Sequence, residues 1–382
     1  ATPCNVMIWS EGMLLSSLDM LKAIGFDMVV FDESSKLKSH KAQLSKAALE
    51  LSSVVPSWYN LSATPAPNGE HEYYTQMRVV DPYAFPTARS RFISKYFDNV
   101  SRDPKWEKLR IKPDMRQAFM QVVDEYSIYV DQAVMPMAGK VWHDDLLYEM
   151  SDTTKEQYKR MANGMAAEVQ GQIITAEQAA SMRAKLNQIT SGFLLDTDAI
   201  KQNKLMRKLG EDSGSTEAYR LPEHERLDYL SKLLQYIDSN EPGTPVVIWA
   251  NYAEEFAMLQ ELLGSNAGYI RGGTTTAGRE EIIRAFRERK LQYLVAHPLS
   301  VGMGINLTVS HNAVYYSVND SWEALKQSSE RICGHITVQP TPCHYWVIQA
   351  KETVNVLIYN NVKGKRDASI GFMEHLKAAV LL

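Results

Sequence analysis

Residues 28–35 read Met-Val-Val-Phe-Asp-Glu-Ser-Ser, and this stretch decides how we interpret the first part of the chain. Its continuously apolar beginning predicts a strand buried on both faces, as in a parallel sheet covered by helices. Asp32 and Glu33 then lie at the carboxyl end of the strand, where α/β sheets form their ligand crevice. In a nucleotide hydrolase the first carboxylate holds Mg²⁺ and the second polarises the attacking water. The simpler interpretation is an Asp-Glu pair that ends a strand and begins a helix.

Apolar runs alternate with helix-period segments at both ends of the chain. Further strands are predicted at 6–9, 58–61, 246–249, 293–296, 313–316 and 345–348. Helices are predicted between them at 13–24, 41–51, 253–263, 279–289 and 322–333. Strands that alternate with helices predict an α/β fold with parallel sheets, here in two units.

The middle of the chain differs in composition from its ends. Residues 150–210 contain few β-branched runs and many Ala, Met, Gln and Lys residues, which favours helices. The segment at 210–215 has the composition of a flexible linker. We therefore predict a first lobe at 1–145, a mainly helical insertion at 146–220 and a second lobe at 221–382.

The 382 residues have the composition of an ordinary soluble globular protein, with 45% hydrophobic and 23% charged residues. No apolar run approaches the roughly 20 residues that cross a bilayer, so we expect no membrane partner. Cys4, Cys333 and Cys343 lack CxxC spacing, which argues against a disulfide framework or a structural metal site and favours the reducing cytoplasm as the location. The net charge of −4 argues against a small basic binding module, but not against an enzyme that grips nucleic acid in a local groove.

A second polar element follows the predicted strand at 58–61. Ser62 and Thr64, separated by one small residue, could hydrogen-bond the neighbouring carboxylates and respond to the state of a bound nucleotide. A Ser/Thr/Pro turn at a strand end is the plainer interpretation. The spacing of one helix between the two elements favours the functional one.

These two elements resemble those of superfamily 2 helicases and translocases of the Swi/Snf-like kind, bacteriophage members in particular. Residues 31–39, Phe-Asp-Glu-Ser-Ser-Lys-Leu-Lys-Ser, look like motif II, and residues 62–69, Ser-Ala-Thr-Pro-Ala-Pro-Asn-Gly, look like motif III. The resemblance implies two RecA-like lobes joined by a mainly helical segment, with ATP and Mg²⁺ bound between the lobes. It also implies that Asp32 holds the metal, that Asp32 and Glu33 are catalytic, and that Ser62 and Thr64 couple hydrolysis to movement.

The last 160 residues resemble the second lobe of the same family, in the same order. The strand at 246–249 is similar to motif IV, and residues 296–307 are similar to motif V. Glycines in motif V permit close backbone approach, and its polar residues reach nucleic-acid phosphates. The likeness assigns nucleotide binding to Gly302 and Gly304, and nucleic-acid contacts to Asn251, Ser300 and Asn306. A glycine-rich loop that merely follows a strand is the alternative.

Residues 327–331, Gln-Ser-Ser-Glu-Arg, are similar to the start of motif VI, on a predicted helix that begins near Trp322. The likeness implies that Gln327 and Arg331 bind the nucleotide and take part in catalysis, with Arg331 as an arginine finger. The family usually carries a second arginine three positions later, where this chain has Gly334. Either catalysis depends on Arg331 alone, or this region is altered. An arginine that is simply solvated on its helix is the alternative.

The family also requires a Walker A loop, Gly-x-x-x-x-Gly-Lys-Ser/Thr, and no segment of the sequence matches it. The resemblance places that loop before Val6, so we expect it in a preceding segment. A relative that has lost ATPase activity and serves as a DNA-binding scaffold is the alternative. A different two-lobed α/β enzyme, such as a sugar-nucleotide transferase, would need neither residues 62–64 nor the helix with Gln327 and Arg331.

The resemblance implies a DNA-stimulated ATPase that acts on duplex or branched DNA with little sequence specificity, in replication, recombination or repair. Phosphate contacts would dominate binding and make it strongly salt-dependent. Basic and aromatic residues within 99–135 form a further candidate DNA surface, with a solvated helix face as the equal alternative. His297, beside motif V, is expected to be packed rather than a ligand. The sequence leaves the oligomeric state open.

Overall fold

The computed structural model describes residues 6–62, 65–66, 69–101, 107–128, 137–168, 176–196, 200, 217–301, 305–334 and 339–364. The chain divides into two compact units, Ala1–Asp131 and Gln132–Leu382. Both units combine helices with parallel strands, which confirms the predicted α/β fold class. Within the described ranges, no helix is long and apolar enough to cross a membrane.

The first unit is centred on two parallel strands, β1 (Met28–Asp32) and β2 (Ser57–Leu61). A short antiparallel pair, β3 (Phe97–Asn99) and β4 (Leu109–Ile111), lies later in the unit. The α-helices of the described part are Glu11–Ser16, Leu18–Ile24, Gln43–Ser52, Tyr73–Val80, Arg89–Tyr96 and Arg116–Glu125. The 3-10 helices there are Ser34–Leu37, Glu70–Glu72 and Pro113–Met115.

The strands of the first unit are covered on one face. Along β1 the side chains alternate between exposed and buried, so that Val29 and Phe31 pack into the core with Trp58 of β2. Met28 and Val30 point the other way and are 53% and 55% exposed. The prediction that this strand is buried on both faces is therefore wrong for the described residues.

The strand predicted at 6–9 is also wrong. Residues 6–10 have no regular secondary structure, and the side chains of Val6 and Ile8 are 72% and 92% exposed. An apolar run becomes a strand only where a neighbouring strand satisfies its backbone N–H and C=O groups. Among the residues placed in the structure, none pairs with this segment.

The second unit contains a six-stranded parallel sheet. Its strands are β5 (Lys140–His143), β9 (Val246–Trp249), β10 (Ala267–Ile270), β11 (Tyr293–Ala296), β12 (Asn312–Tyr315) and β13 (Cys343–Val347), in the order β10-β11-β9-β12-β13-β5. This unit also contains two pairs of short strands that the sequence did not predict. They are β6 (Leu147–Tyr148) with β14 (Gln349–Ala350), and β7 (Phe193–Leu195) with β8 (Ala218–Arg220). The β3–β4 pair of the first unit was not predicted either. Every residue of β9 and β12 is buried, as a strand covered on both faces requires.

The helices of the second unit fall into two groups. Asp152–Glu168 and Ala176–Thr190 belong to the segment predicted as helical, and Glu225–Asn240, Ala253–Leu263, Thr276–Arg287, Trp322–Ile332 and Val354–Gly364 surround the sheet. The first group shares one hydrophobic core with the sheet, through residues such as Tyr158, Leu186 and Ile189. β5, which the sequence-based division assigns to the first lobe, pairs with β13 in this sheet.

Candidate functional site

The acid pair lies at the carboxyl end of β1. Asp32 is the last residue of the strand, and its side chain is exposed. Ser62 directly follows β2, whose last residue, Leu61, lies opposite Asp32 in the parallel register. The two polar elements therefore end at the same edge of the sheet. Thr64 lies outside the described residues.

Glu33 has an uncommon backbone conformation. Its φ of 55° is in the left-handed region, which residues other than glycine adopt infrequently. The N–H of Glu33 donates to Oδ1 of Asp32 at 3.0 Å, and the 3-10 helix Ser34–Leu37 follows. Sparsely populated backbone conformations persist where the surrounding structure holds them, and they cluster at functional sites. The turn after β1 is therefore a candidate site on conformational grounds as well as on chemical ones.

The turn that carries Glu33 is anchored by buried side chains. Ser34, Ser35 and Leu37 are 2%, 1% and 0% exposed. Lys36, in the same turn, forms an ion pair with Glu11 of the first helix. Contacts on the buried and on the exposed side of the turn thus hold its backbone in place.

Gln76 contacts the turn after β1 and the segment after β2, and the sequence interpretation missed it. It lies on the helix Tyr73–Val80 and is 1% exposed. Its Oε1 accepts a hydrogen bond from the Ser34 hydroxyl at 2.8 Å, and its Nε2 donates to the Pro65 carbonyl at 2.5 Å. In the sequence, Gln76 is only one polar residue among the buried residues of a helix, and this does not identify its hydrogen-bonding partners.

In the second unit, Asn251 follows β9 and is held by other residues of the unit. Its Nδ2 donates to the carbonyl and to the hydroxyl of Ser317, at 2.8 and 3.0 Å. Its Oδ1 accepts a hydrogen bond from Asn319 at 2.9 Å. Both ends of the Asn251 amide are therefore engaged in tying the loop after β9 to the loop after β12.

Gln327 and Arg331 share one face of the helix Trp322–Ile332, because residues four apart are one turn apart. Both are half-buried, whereas Ser328 and Ser329 face the core. The last turn of the helix reaches the segment before β12, where the N–H of Leu307 donates to the carbonyl of Arg331 at 2.8 Å. The structure thus brings Arg331 close to motif V, while Asn251 lies at the opposite end of β9 and β12.

The motif V loop is described in part. Ser300 is half-buried, and its N–H donates to the carbonyl of His297 at 2.9 Å. Asn306 is exposed, and its carbonyl accepts a hydrogen bond from Nη2 of Arg287 at 2.7 Å. Burial lowers the pKa of His297, and its Nδ1 accepts the N–H of Leu299 at 3.2 Å. Gly302 and Gly304 lie outside the described residues.

Gly334 stands where the resemblance to motif VI places a second arginine. It is buried, and its N–H donates to Oε1 of Gln339 at 2.6 Å. A Cβ at this position would lie 2.9 Å from Cγ2 of Thr308 and 3.0 Å from Oε1 of Gln339. Any larger side chain would therefore force its neighbours to move, which destabilises a packed region.

A buried polar network centred on Arg226 supports the second unit. Arg226 is 1% exposed, and its guanidinium donates to the Ser191 hydroxyl at 2.6 Å and to the Thr190 hydroxyl at 2.9 Å. It also contacts the side-chain oxygen of Asn355 and the ring of Tyr148. The network therefore joins the end of the helix Ala176–Thr190 to the helices Glu225–Asn240 and Val354–Gly364.

The network continues to a buried carboxylate. Glu255 is 0% exposed; its Oε1 accepts a hydrogen bond from Ser191 at 2.8 Å, and its Oε2 accepts one from Ser317 at 2.7 Å. The N–H of Asn251 donates to the same Oε2 at 2.8 Å. Since buried charges require hydrogen-bonding partners, Arg226 and Glu255 fix the loops after β9 and β12 to the helical segment.

Protein side chains alone provide no metal cage in the described part of the chain, where no group of three or more His, Cys, Asp or Glu could hold an ion. Mg²⁺ in nucleotide sites does not need such a cage, because one or two carboxylates, phosphates and water complete its coordination. The exposed carboxylate of Asp32 is a donor of that kind.

The two units have an α/β fold with parallel strands, a class in which ligands commonly bind at the carboxyl edge of the sheet. Two family models match the sequence: the SNF2-related domain over residues 1–236 and the helicase conserved C-terminal domain over residues 225–333. The first of these covers more than half of the chain, so the protein belongs to the SNF2-related family. This confirms the resemblance to Swi/Snf-like proteins.

Individual relatives are similar at low identity. The chain is 24% identical to "Putative protein p41" of Acyrthosiphon pisum secondary endosymbiont phage 1, over 92% of this chain and 73% of that protein. It is 22% identical to the human DNA repair and recombination protein RAD54B, over 95% of this chain but 42% of that protein. The Sulfolobus solfataricus SWI2/SNF2 ATPase core in complex with dsDNA is similar with a TM-score of 0.41 and 15% identity, over 97% of this chain and 73% of that one.

The chain therefore carries the domains of SNF2-family ATPases and helicase-like translocases, a family that uses ATP. It spans less than half the length of the human relative.

Proposed function

We propose that the protein is an ATP-dependent DNA translocase or helicase that acts on duplex or branched DNA. The observation that carries the proposal is the pair Asp32 and Glu33, held at the edge of β1 by a strained turn in a chain of the SNF2-related family. Branch migration, fork regression or unwinding in replication, recombination and repair are the activities that such a motor would serve.

The donor set at the end of β1 fits a nucleotide with Mg²⁺. The Asp32 carboxylate would hold the ion, and the carboxylate of Glu33 would orient and polarise the attacking water. When bound, Mg²⁺ neutralises charge that develops on the phosphates. Ser62 and Thr64 would transmit the state of the site to the rest of the first lobe.

For the second lobe we propose that Gln327 and Arg331 bind the nucleotide, with Arg331 stabilising the charge of the transition state. Gly302 and Gly304 would let the backbone approach the phosphates closely. The shared helix face of Gln327 and Arg331 supports a joint role.

DNA contacts are proposed at Ser300 and Asn306, which lie in the loop beside the Arg331 helix. Asn251 would have to exchange its bonds with Ser317 to reach a phosphate. Since such contacts address the backbone, binding should be largely independent of sequence and should weaken steeply with salt.

The test is DNA-stimulated ATP hydrolysis by the full-length protein and its variant Glu33→Gln. We expect the variant to lose about a hundredfold or more in kcat, the size of a general-base contribution, and to keep its affinity for DNA. Glu125→Gln, an exposed glutamate at the end of a helix of the same unit, is the matched control. An unchanged kcat in Glu33→Gln would exclude the proposed role of Glu33.

The alternative is a DNA-binding scaffold of the same fold. It predicts DNA binding without ATP hydrolysis in the wild-type protein, and no effect of either glutamate substitution. The same two assays therefore separate the motor from the scaffold.

A further inference from the structure

Gln76 is a buried amide that connects two separate parts of the first unit. It is 1% exposed and lies on the helix Tyr73–Val80, outside both polar elements of the candidate site. A glutamine in this position must satisfy its donors and its acceptor within the protein, because water does not reach it. Its partners are therefore informative.

The side chain of Gln76 is bound from both sides. Its Oε1 accepts from the hydroxyl of Ser34, the residue that follows Glu33, at 2.8 Å. Its Nε2 donates to the carbonyl of Pro65, the residue that follows Thr64, at 2.5 Å, and to the carbonyl of Glu72 at 3.0 Å. One planar amide thus fixes the distance between the turn after β1 and the segment after β2.

The backbone of Gln76 adds a third connection. Its carbonyl accepts a hydrogen bond from Nδ2 of Asn60 at 2.7 Å, and Oδ1 of Asn60 accepts one from Nε1 of Trp58 at 2.9 Å. Asn60 and Trp58 both belong to β2. The helix is therefore tied to the strand itself as well as to both segments that follow the strands.

We propose that Gln76 is a positioning residue that holds the turn of Glu33 in register with the segment of Ser62 and Thr64. This inference rests on the proposed ATPase function. A displacement of either segment would break a hydrogen bond to Gln76 or pull the other segment with it. Gln76 thereby makes the turn of Asp32 and Glu33 move as one body with the segment of Ser62 and Thr64. This links ATP hydrolysis to the response to DNA.

The experiment measures ATP hydrolysis with and without linear double-stranded DNA in Gln76→Leu, which removes all three side-chain bonds. We expect the ratio of stimulated to basal kcat to fall about 10- to 100-fold, the cost of a misplacement near 1 Å, while KM for ATP stays within about twofold. Thr75→Val is the matched control, since Thr75 is the adjacent residue, is 0% exposed, and its hydroxyl has no partner among the described residues.

A second variant separates positioning from folding. Gln76→Glu keeps an acceptor for Ser34 but loses both donors, so we expect the same direction of change in a side chain of nearly the same shape. A variant in which KM rises and the kcat ratio is preserved would overturn the proposal, because this is the outcome of a purely structural role.

Amide hydrogen exchange provides a readout that does not depend on activity. In Gln76→Leu the amides of Ser34 to Leu37 and of Ala66 should exchange faster than in the wild type, and in Thr75→Val they should not. If the wild type shows no DNA-stimulated hydrolysis, the proposed function is wrong. If amide exchange is unchanged in Gln76→Leu, Gln76 does not hold the two segments in register. Active wild type with an undiminished ratio in Gln76→Leu would reject this inference and leave the function standing.

Discussion

β1 in the first unit and β9 in the second begin from the same kind of sequence, yet they are buried differently. β1 contains Met-Val-Val-Phe and exposes every second side chain, whereas β9 is Val-Val-Ile-Trp and exposes none. Within the described residues, β1 pairs with one strand, whereas β9 lies inside a sheet of six strands. An apolar run therefore indicates that a strand can be covered on both faces, and the neighbouring elements decide whether it is.

The charged side chains singled out in the two units also differ in burial. In the second unit, Arg226 and Glu255 are almost fully buried and are joined through shared hydrogen-bonding partners. In the first unit, the Asp32 side chain is exposed, and the buried polar side chains of Ser34 and Ser35 belong to the turn that follows it. The second unit uses charge to hold its helical segment, and the first presents charge at its surface.

The largest effect is expected for Arg226→Met. Removal of the guanidinium takes a buried donor from Ser191, Thr190 and Asn355 and leaves the buried Glu255 without the nearby positive charge. This should lower the free energy of unfolding by about 3–5 kcal/mol. Urea titration of the full chain measures the loss. The control is Arg160→Met, because Arg160 is paired with Glu156 on an exposed helix surface and should change the midpoint little. Equal midpoints for both variants would mean that the network does not stabilise the second unit.

A smaller effect is expected for a matched pair of valines in the two sheets. Val247→Ala, in β9, removes a side chain that is 0% exposed and should cost about 2 kcal/mol. Val30→Ala, in β1, alters a side chain that is 55% exposed and should cost less than about 0.5 kcal/mol. The same urea titration applies. A loss in Val30→Ala as large as that in Val247→Ala would show that the outer face of β1 is covered in solution.

The smallest effect is expected for the dependence of stability on acidic pH. Burial lowers the pKa of both His143 and His344, and Nε2 of His143 lies 3.0 Å from Nδ1 of His344. Because the unfolded chain then takes up protons first, stability should fall as the pH drops below about 6.5. His344→Gln, which does not titrate, should lose less Tm between pH 7 and pH 5 than the wild type. Identical losses would exclude this pair as a source of the acid sensitivity.

The sequence predicted the strands and helices whose pattern is local. The apolar runs at β9, β11, β12 and β13 all became strands of one parallel sheet. β5 and β10 were not predicted, because the former is Lys-Val-Trp-His and the latter contains a glycine. These strands form because the edges of an existing sheet offer hydrogen bonds to them, which no local pattern records.

The candidate site was likewise predictable from the sequence only in part. The acid pair was identifiable because a strand end and two carboxylates are adjacent in sequence. The contact between Ser34 and Gln76 was not identifiable, because 42 residues separate the partners and no sequence pattern links them. The positive φ of Glu33 was also beyond prediction, since its sequence position suits an ordinary turn.

The closed space around Gly334 has a consequence for mutagenesis of this region. A Cβ there would lie 2.9 Å from Cγ2 of Thr308 and 3.0 Å from Oε1 of Gln339. An arginine at position 334 would require the side chain at position 308 or 339 to move or to be replaced by a smaller one. The three positions therefore have to be designed together.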